Sequence, residues 1–228
     1  MEINNSSKGI SLLTTDVISG KLKVIHFDNI NAKNDEGYTY LHIACINMLS
    51  PIELVTSLLK NGADPNVKDK NGLTPLHYAS VNKKSSTDIV KLLLSYNADP
   101  NIGDKYELTP LHYMSAFSDD SLPIKTAKHL LRNGANPNAK DDDGLTPLHY
   151  VLRLLNNCSY QLGIIKLLLN NGADPNAKNK VGVTPLQYVP SNIDIKDIEL
   201  LRDYRVIYNE VSYITSIFNN IWKILDNW

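Results

Sequence analysis

The sequence predicts an all-α repeat solenoid, built from paired antiparallel helices with β-turn or hairpin fingers and closed by degenerate terminal caps. Three observations lead there. Variants of the phrase GLTPLHY recur five times, with their threonines at Thr39, Thr74, Thr109, Thr146 and Thr184, at intervals of 35, 35, 37 and 38 residues. A second phrase, NGADPN in its fullest form, recurs between them and puts Gly62, Asn97, Gly134 and Gly172 at one shared position. From each of those four positions to the next threonine is always 12 residues, so every change of length falls between the threonine and the glycine position.

The elements follow in order. Residues 27–37 align with residues 62–72, which makes residues 1–33 a degenerate N-terminal capping repeat whose last helix covers about 16–26. Four repeats come next, at 34–67, 68–102, 103–139 and 140–178. In the second, Gly72 permits the tight turn, Thr74 caps a helix and Pro75 fits its first position. Leu76 and Ala79 face neighbouring helices, and the second helix around Ile89 and Leu94 brings apolar residues at packing spacing. Gly62, Gly134 and Gly172 stop that helix, and Pro65, Pro100, Pro137 and Pro175 prevent its continuation. Three positions depart from the pattern: Tyr40 replaces the proline, Glu107 the finger glycine and Asn97 the helix-stop glycine. Residues 179–205 form a degenerate fifth repeat in which Pro190 cuts the first helix short. A helix around 195–204 follows without a second phrase. In 206–228, Val211, Ile214, Phe218, Ile221, Leu225 and Trp228 form an apolar stripe that either caps the array or binds a partner.

Composition narrows the function. The formal net charge is −1 and no basic run is interleaved with aromatics, which argues against nucleic acid as a partner. Two distant cysteines, Cys45 and Cys158, fit a reducing compartment better than a disulfide scaffold. The N-terminus lacks a secretory pattern and no run of about 18 apolar residues exists, so no membrane span and a soluble, intracellular protein are expected. Asn is abundant, at 26 residues, and with Ile, Lys and Tyr it reads as AT-rich codon usage rather than physics.

The repeat phrase itself invites a chemical reading. His42, His77, His112 and His149 recur once per repeat, but stacked helices lie about 8–10 Å apart, so they do not converge on one metal ion. A structural role suits them, with the imidazole bonding the threonine hydroxyl and nearby backbone. The run at Asp141, Asp142 and Asp143 is consecutive and lacks the closing glutamate of a calcium loop, so it reads as a solvated finger tip. Nucleophile-elbow, phosphate-loop and zinc-protease patterns are all missing, so no enzyme, metal or cofactor is expected.

With GLTPLHYAS at 72–80 and DIVKLLLSYNADPN at 88–101, the chain resembles the ankyrin-repeat family across residues 34–176. That resemblance implies a protein-binding module whose partners contact finger tips and inner helices. By position it implies Lys70, Asn71 and Leu73 in repeat 2, Lys105, Tyr106 and Leu108 in repeat 3, and Asp142, Asp143 and Leu145 in repeat 4. Tyr106 is the best anchor candidate, and the change from lysine to aspartate along the strip suits a bipolar partner; polar loops without a partner fit the same residues. Extra residues at 116–123 and 153–162 lengthen the junctions between paired helices and expose Phe117 and Tyr160 as a second surface, beside Trp222 and Trp228, or the second insertion only lengthens the first helix of its repeat by a turn. The divergent repeats and the TPLHY variant are similar to poxviral ankyrin proteins. This implies a host-cytoplasmic factor that binds a host signalling protein in NF-κB or cell-death pathways. Many such proteins recruit a ubiquitin ligase through Skp1 by a C-terminal F-box-like segment, whose leading Leu-Pro is missing here.

Overall fold

A computed structural model of the chain describes residues 29–47, 52–81, 86–116, 123–154 and 159–189. The helices expected at 16–26 and 195–204, the stripe at 206–228, Cys158, Phe117, Trp222 and Trp228 lie outside the described residues. Eight α-helices are described: α1 Tyr40–Ile46, α2 Ile52–Lys60, α3 Pro75–Val81, α4 Ser86–Ser95, α5 Pro110–Ala116, α6 Pro123–Arg132, α7 Pro147–Arg153 and α8 Ser159–Asn170. They alternate between a short inner helix of seven residues and a longer outer one, and each packs on its pair mate and on its counterpart in the next repeat.

Every inner helix starts at the repeated threonine. Thr39 is extended at φ −87° and ψ 171°, and its hydroxyl faces the backbone amide of His42 in a reciprocal capping box. Proline opens α3, α5 and α7, where its missing N–H costs nothing and its fixed φ suits the first turn. Tyr40 takes that place in α1, and the helix forms all the same because the cap holds it. Outer helices end alike. Gly62 sits at φ +88°, with its amide bonding the Leu59 carbonyl at 3.1 Å and the Ala63 amide bonding the Leu58 carbonyl at 3.0 Å, a Schellman termination. Asn97 makes the same closure at φ 64°.

The core runs between the two helix layers. Leu41, Leu76, Leu111 and Leu148 occupy equivalent inner positions and are buried, facing Val55, Leu58, Ile89, Leu93, Leu130, Ile165 and Leu168 of the outer layer. Full burial of one such side chain contributes about 1.5–3 kcal/mol. In the fifth unit a 3-10 turn, Pro185–Tyr188, replaces the inner helix, and Val189 is extended at ψ 126°, as the residue before Pro190 is biased to be.

Five fingers connect the pairs, centred on residues 34–38, 69–73, 104–108, 141–145 and 179–183. None holds a β-strand among the described residues; each is one tight turn. The side chain that opens the finger organises it: Asp69 Oδ1 accepts from the Asn71 amide at 2.7 Å and the Leu73 amide at 3.0 Å. Asn34, Asp104, Asp141 and Asn179 repeat this arrangement. Finger glycines are needed twice over. Gly72 has φ +83°, and a Cβ there would lie 2.7 Å from the Lys105 amide of the next finger.

Two outcomes follow from this geometry. Gly72→Ala is expected to destabilise by about 2 kcal/mol or more, because strain and a backbone collision act together. Glu107 holds φ 61° where the other fingers use glycine, so Glu107→Gly is expected to gain about 0.5–1 kcal/mol and raise the melting midpoint. Thermal and urea unfolding of both variants measure these changes.

Candidate functional site

The repeated histidine turns out to be a connector between repeats. Each Nδ1 receives the backbone N–H of its own threonine, at 3.1 Å for Thr39 on His42 and 3.0 Å for Thr74 on His77. A nitrogen that accepts a backbone N–H carries no proton, so the proton sits on Nε2. That Nε2–H donates to a carbonyl of the following finger: His42 to Leu73 at 3.1 Å, His77 to Leu108 at 2.9 Å, His112 to Leu145 at 3.1 Å and His149 to Val183 at 3.2 Å. Gln187 replaces histidine in the fifth unit and keeps the cap, its Oε1 accepting the Thr184 amide at 2.8 Å.

Burial holds these rings neutral. It pushes His77 down to about 4, outweighing the opposing pull of the Leu108 carbonyl and Asp104. Burial likewise lowers His42, His112 and His149. The same cause pushes the Cys45 thiol up, which leaves it no nucleophile at neutral pH.

The tyrosine that ends the phrase joins the same lattice. Tyr113 stands edge-on to His77 of the preceding repeat at 5.5 Å between centroids, Tyr150 to His112 at 5.7 Å and Tyr188 to His149 at 5.8 Å. Its hydroxyl donates to the carboxylate that opens its own finger: Tyr78 to Asp69 at 2.6 Å, Tyr113 to Asp104 at 2.9 Å and Tyr150 to Asp141 at 2.7 Å. Burial and these carboxylates push the three phenols up, so they stay protonated donors. Asp141 is therefore no solvated tip. It is 8% exposed and both its oxygens are bonded, while Asp142 and Asp143 alone face solvent.

Asparagine has work of its own. The Nδ2 of Asn66 donates to the Asn97 carbonyl at 3.0 Å, and its Oδ1 accepts the Asp99 amide at 2.8 Å. Asn31, Asn101 and Asn138 bridge to the next unit in the same way. At these positions the asparagine bias is physical, which corrects a purely codon-based account. Lysines add a third tie, Lys33 to the Lys68 carbonyl and Lys68 to the Gly103 carbonyl, each at 2.8 Å, and Lys140 to the Lys178 carbonyl at 3.0 Å. None of these three signals is hidden in the sequence; the tyrosine, asparagine and lysine repeat with the same period as the histidine.

Past this lattice lie the finger tips. Lys70, Asn71, Lys105, Tyr106, Asp142 and Asp143 are exposed and lie in one row, because adjacent fingers are joined by backbone bonds: the Lys105 amide to the Asn71 carbonyl at 2.9 Å, the Asp142 amide to the Tyr106 carbonyl at 3.0 Å. Tyr106 is 55% exposed with the Lys105 ammonium 5.0 Å from its ring centroid. The three leucines differ. Leu73 and Leu108 are half-buried and Leu145 is only 7% exposed, and the carbonyl of each accepts the histidine Nε2–H of the preceding repeat. Tyr160 lies in α8. The inner helices also present half-buried Tyr78, Tyr113 and Tyr150 beside the tips, with the Arg153 guanidinium 5.1 Å from the Tyr150 ring centroid. This tyrosine row is not among the surface residues that position in the repeat assigns, although it recurs with the same period as the histidine.

A family model described as "Ankyrin repeats (3 copies)" matches residues 50–121 and again residues 114–210. No curated protein matches the chain. Among the described residues no helix is long and apolar enough to cross a membrane.

The histidine geometry sets a pH dependence. Because the folded-state values lie below the ordinary value of 6.5, the unfolded chain takes up protons first as pH falls. The stability that the neutral rings supply is present above about 6.5 and is lost as pH falls toward the folded value. For His77 the loss amounts to about 3 kcal/mol. Urea unfolding between pH 7.5 and 4.5 is expected to show a steep fall, and His77→Gln is expected to lower stability at pH 7.5 yet flatten the dependence.

Proposed function

The chain belongs to the ankyrin-repeat family, and on that premise we propose that it captures a protein partner along the row of finger tips and the inner-helix tyrosines behind it. Ankyrin repeats mediate protein–protein interaction, and a protein-binding scaffold is the role the family establishes. The observation that carries the finger assignment is uncompensated charge: among the described residues the Lys70, Asp142 and Asp143 side chains make no hydrogen bond or ion pair. Tyr106 supplies an aromatic anchor beside them.

The partner in this reading is a host signalling protein in the host cytoplasm, met by a virus-encoded factor that blunts innate defence through NF-κB or cell-death signalling. Its support is the similarity of the TPLHY phrase and the unequal helix junctions to poxviral ankyrin proteins. The asparagine content lends it less, since four of those residues are structural ties. A second reading, a substrate adaptor for a Skp1-containing ubiquitin ligase, rests on the apolar periodicity of 211–228. An AT-rich bacterial effector is the remaining source that fits the composition.

Affinity capture from host-cell lysate tests the finger assignment. The triple variant Lys70→Glu, Tyr106→Ala, Asp142→Lys is expected to recover at least tenfold less partner than the native chain, about 1.4 kcal/mol; equal recovery overturns the assignment. The adaptor reading predicts that Skp1 co-elutes with the chain and is lost on removal of 211–228.

A further inference from the structure

Read in order, the exposed residues at the finger tips are Asp35 and Glu36, Lys70 and Asn71, Lys105 and Tyr106, Asp142 and Asp143, then Lys180 and Val181. Glu107 flanks Tyr106 and is exposed as well. The signs along the row are acidic, basic, mixed, acidic, basic. The passage from lysine to aspartate across fingers 2 to 4 is part of this longer series, and the full row has a property of its own: it is complementary to itself when turned end for end.

Consider a second copy facing the row in the antiparallel direction. With a two-fold axis through finger 3, finger 1 meets finger 5, so Asp35 and Glu36 face Lys180. Finger 2 meets finger 4, so Lys70 faces Asp142 and Asp143. Finger 3 meets itself, with Lys105 against Glu107 and Tyr106 against Tyr106. No other register matches it: an axis between fingers 1 and 2, or between fingers 4 and 5, also pairs opposite charges but joins only two fingers, and the longer registers clash. An axis through finger 2 or finger 4 sets like charges on each other at the centre. An axis between fingers 2 and 3 sets Asp35 and Glu36 on Asp142 and Asp143, and one between fingers 3 and 4 sets Lys70 on Lys180. We propose that the chain self-associates through its finger tips, two copies meeting about a two-fold axis at finger 3.

The centre of that axis is where the row is unusual. Tyr106 is the one aromatic among the large apolar side chains exposed in the described residues. Beside it, Glu107 keeps a side chain at φ 61°, where fingers 1, 2, 4 and 5 use glycine. A residue retained in that conformation points to a role for its side chain, and on the axis it is the counter-charge to Lys105. Such an interface is isologous, small and polar, so the association is weak and salt-sensitive. It covers the strip assigned above to a protein partner, so the partner and a second copy compete for it.

Sedimentation equilibrium of the full chain, with no other protein present, tests this. A monomer–dimer equilibrium is expected that weakens by roughly tenfold between low and high salt, and by tenfold or more in Tyr106→Ala. Lys70→Glu alone and the pair Asp142→Lys, Asp143→Lys alone are each expected to abolish it, since both place like charges where fingers 2 and 4 meet. An equimolar mixture of those two variants is expected to form a heterodimer, because each then offers the sign that the other lacks. A chain that stays monomeric throughout, or a dimer indifferent to these changes, overturns the proposal. Partner capture that survives such a result leaves the scaffold reading standing; capture lost from a chain that still dimerises overturns only the latter.

Discussion

The stack depends on a single protonation choice. A threonine backbone N–H occupies Nδ1 of each repeat histidine, so the ring has its proton on Nε2 and a fixed direction in which to donate. The direction leads into the next repeat. Capping a helix and joining two repeats are therefore one act, and any residue that satisfies the cap without a forward donor builds a sound helix but gives up this tie to the next unit. Net contributions of about 0.5–1.5 kcal/mol per hydrogen bond look small, but each junction also carries an asparagine bridge, a finger backbone bond and, at three junctions, a lysine. The lysine is missing where Gly103 stands in its place.

This division of labour explains which parts of the phrase are free to vary. Asp69, Asp104 and Asp141 look like surface charges in the sequence, yet each spends one oxygen on its finger and the other on a tyrosine. Of the residues that follow them, Lys105 donates to Asn71 Oδ1 at 3.0 Å, but Lys70, Asp142 and Asp143 have no such duty. They project from a rigid turn, their backbones are held by the neighbouring finger, and their side chains change sign without cost to the fold. Rigid presentation of variable side chains is what a recognition surface requires.

Much of this was legible in the sequence. The constant interval of 12 residues fixed the turn and the outer helix end, and the left-handed positions at Gly62, Gly134 and Gly172, with Asn97 among them, follow from it. Cap and core residues were equally readable, because Thr, Pro and Leu act within their own repeat. What escaped was whatever acts between repeats or between a helix and its finger. The destination of the histidine Nε2 proton, the asparagine bridges and the tyrosine–aspartate bonds connect residues 31–38 positions apart or cross from helix to finger. Periodicity announces such residues without saying what they touch. Leu145 shows the converse: assigned to the groove by position, its side chain is only 7% exposed.

Three kinds of side-chain tie share an orientation. Histidine Nε2, the bridging asparagine Nδ2 and the Nζ of Lys33, Lys68 and Lys140 donate to carbonyls of the unit that follows. A stack built this way is directional in the sense that a filament is: these side chains reach forward, while the finger amides and the amides held by asparagine Oδ1 reach back. Two such units cannot be exchanged back to front, and a terminal cap that seals one end is chemically wrong for the other. Growth by duplication of a whole repeat preserves every tie, whereas inversion or a half-repeat insertion breaks all of them at once.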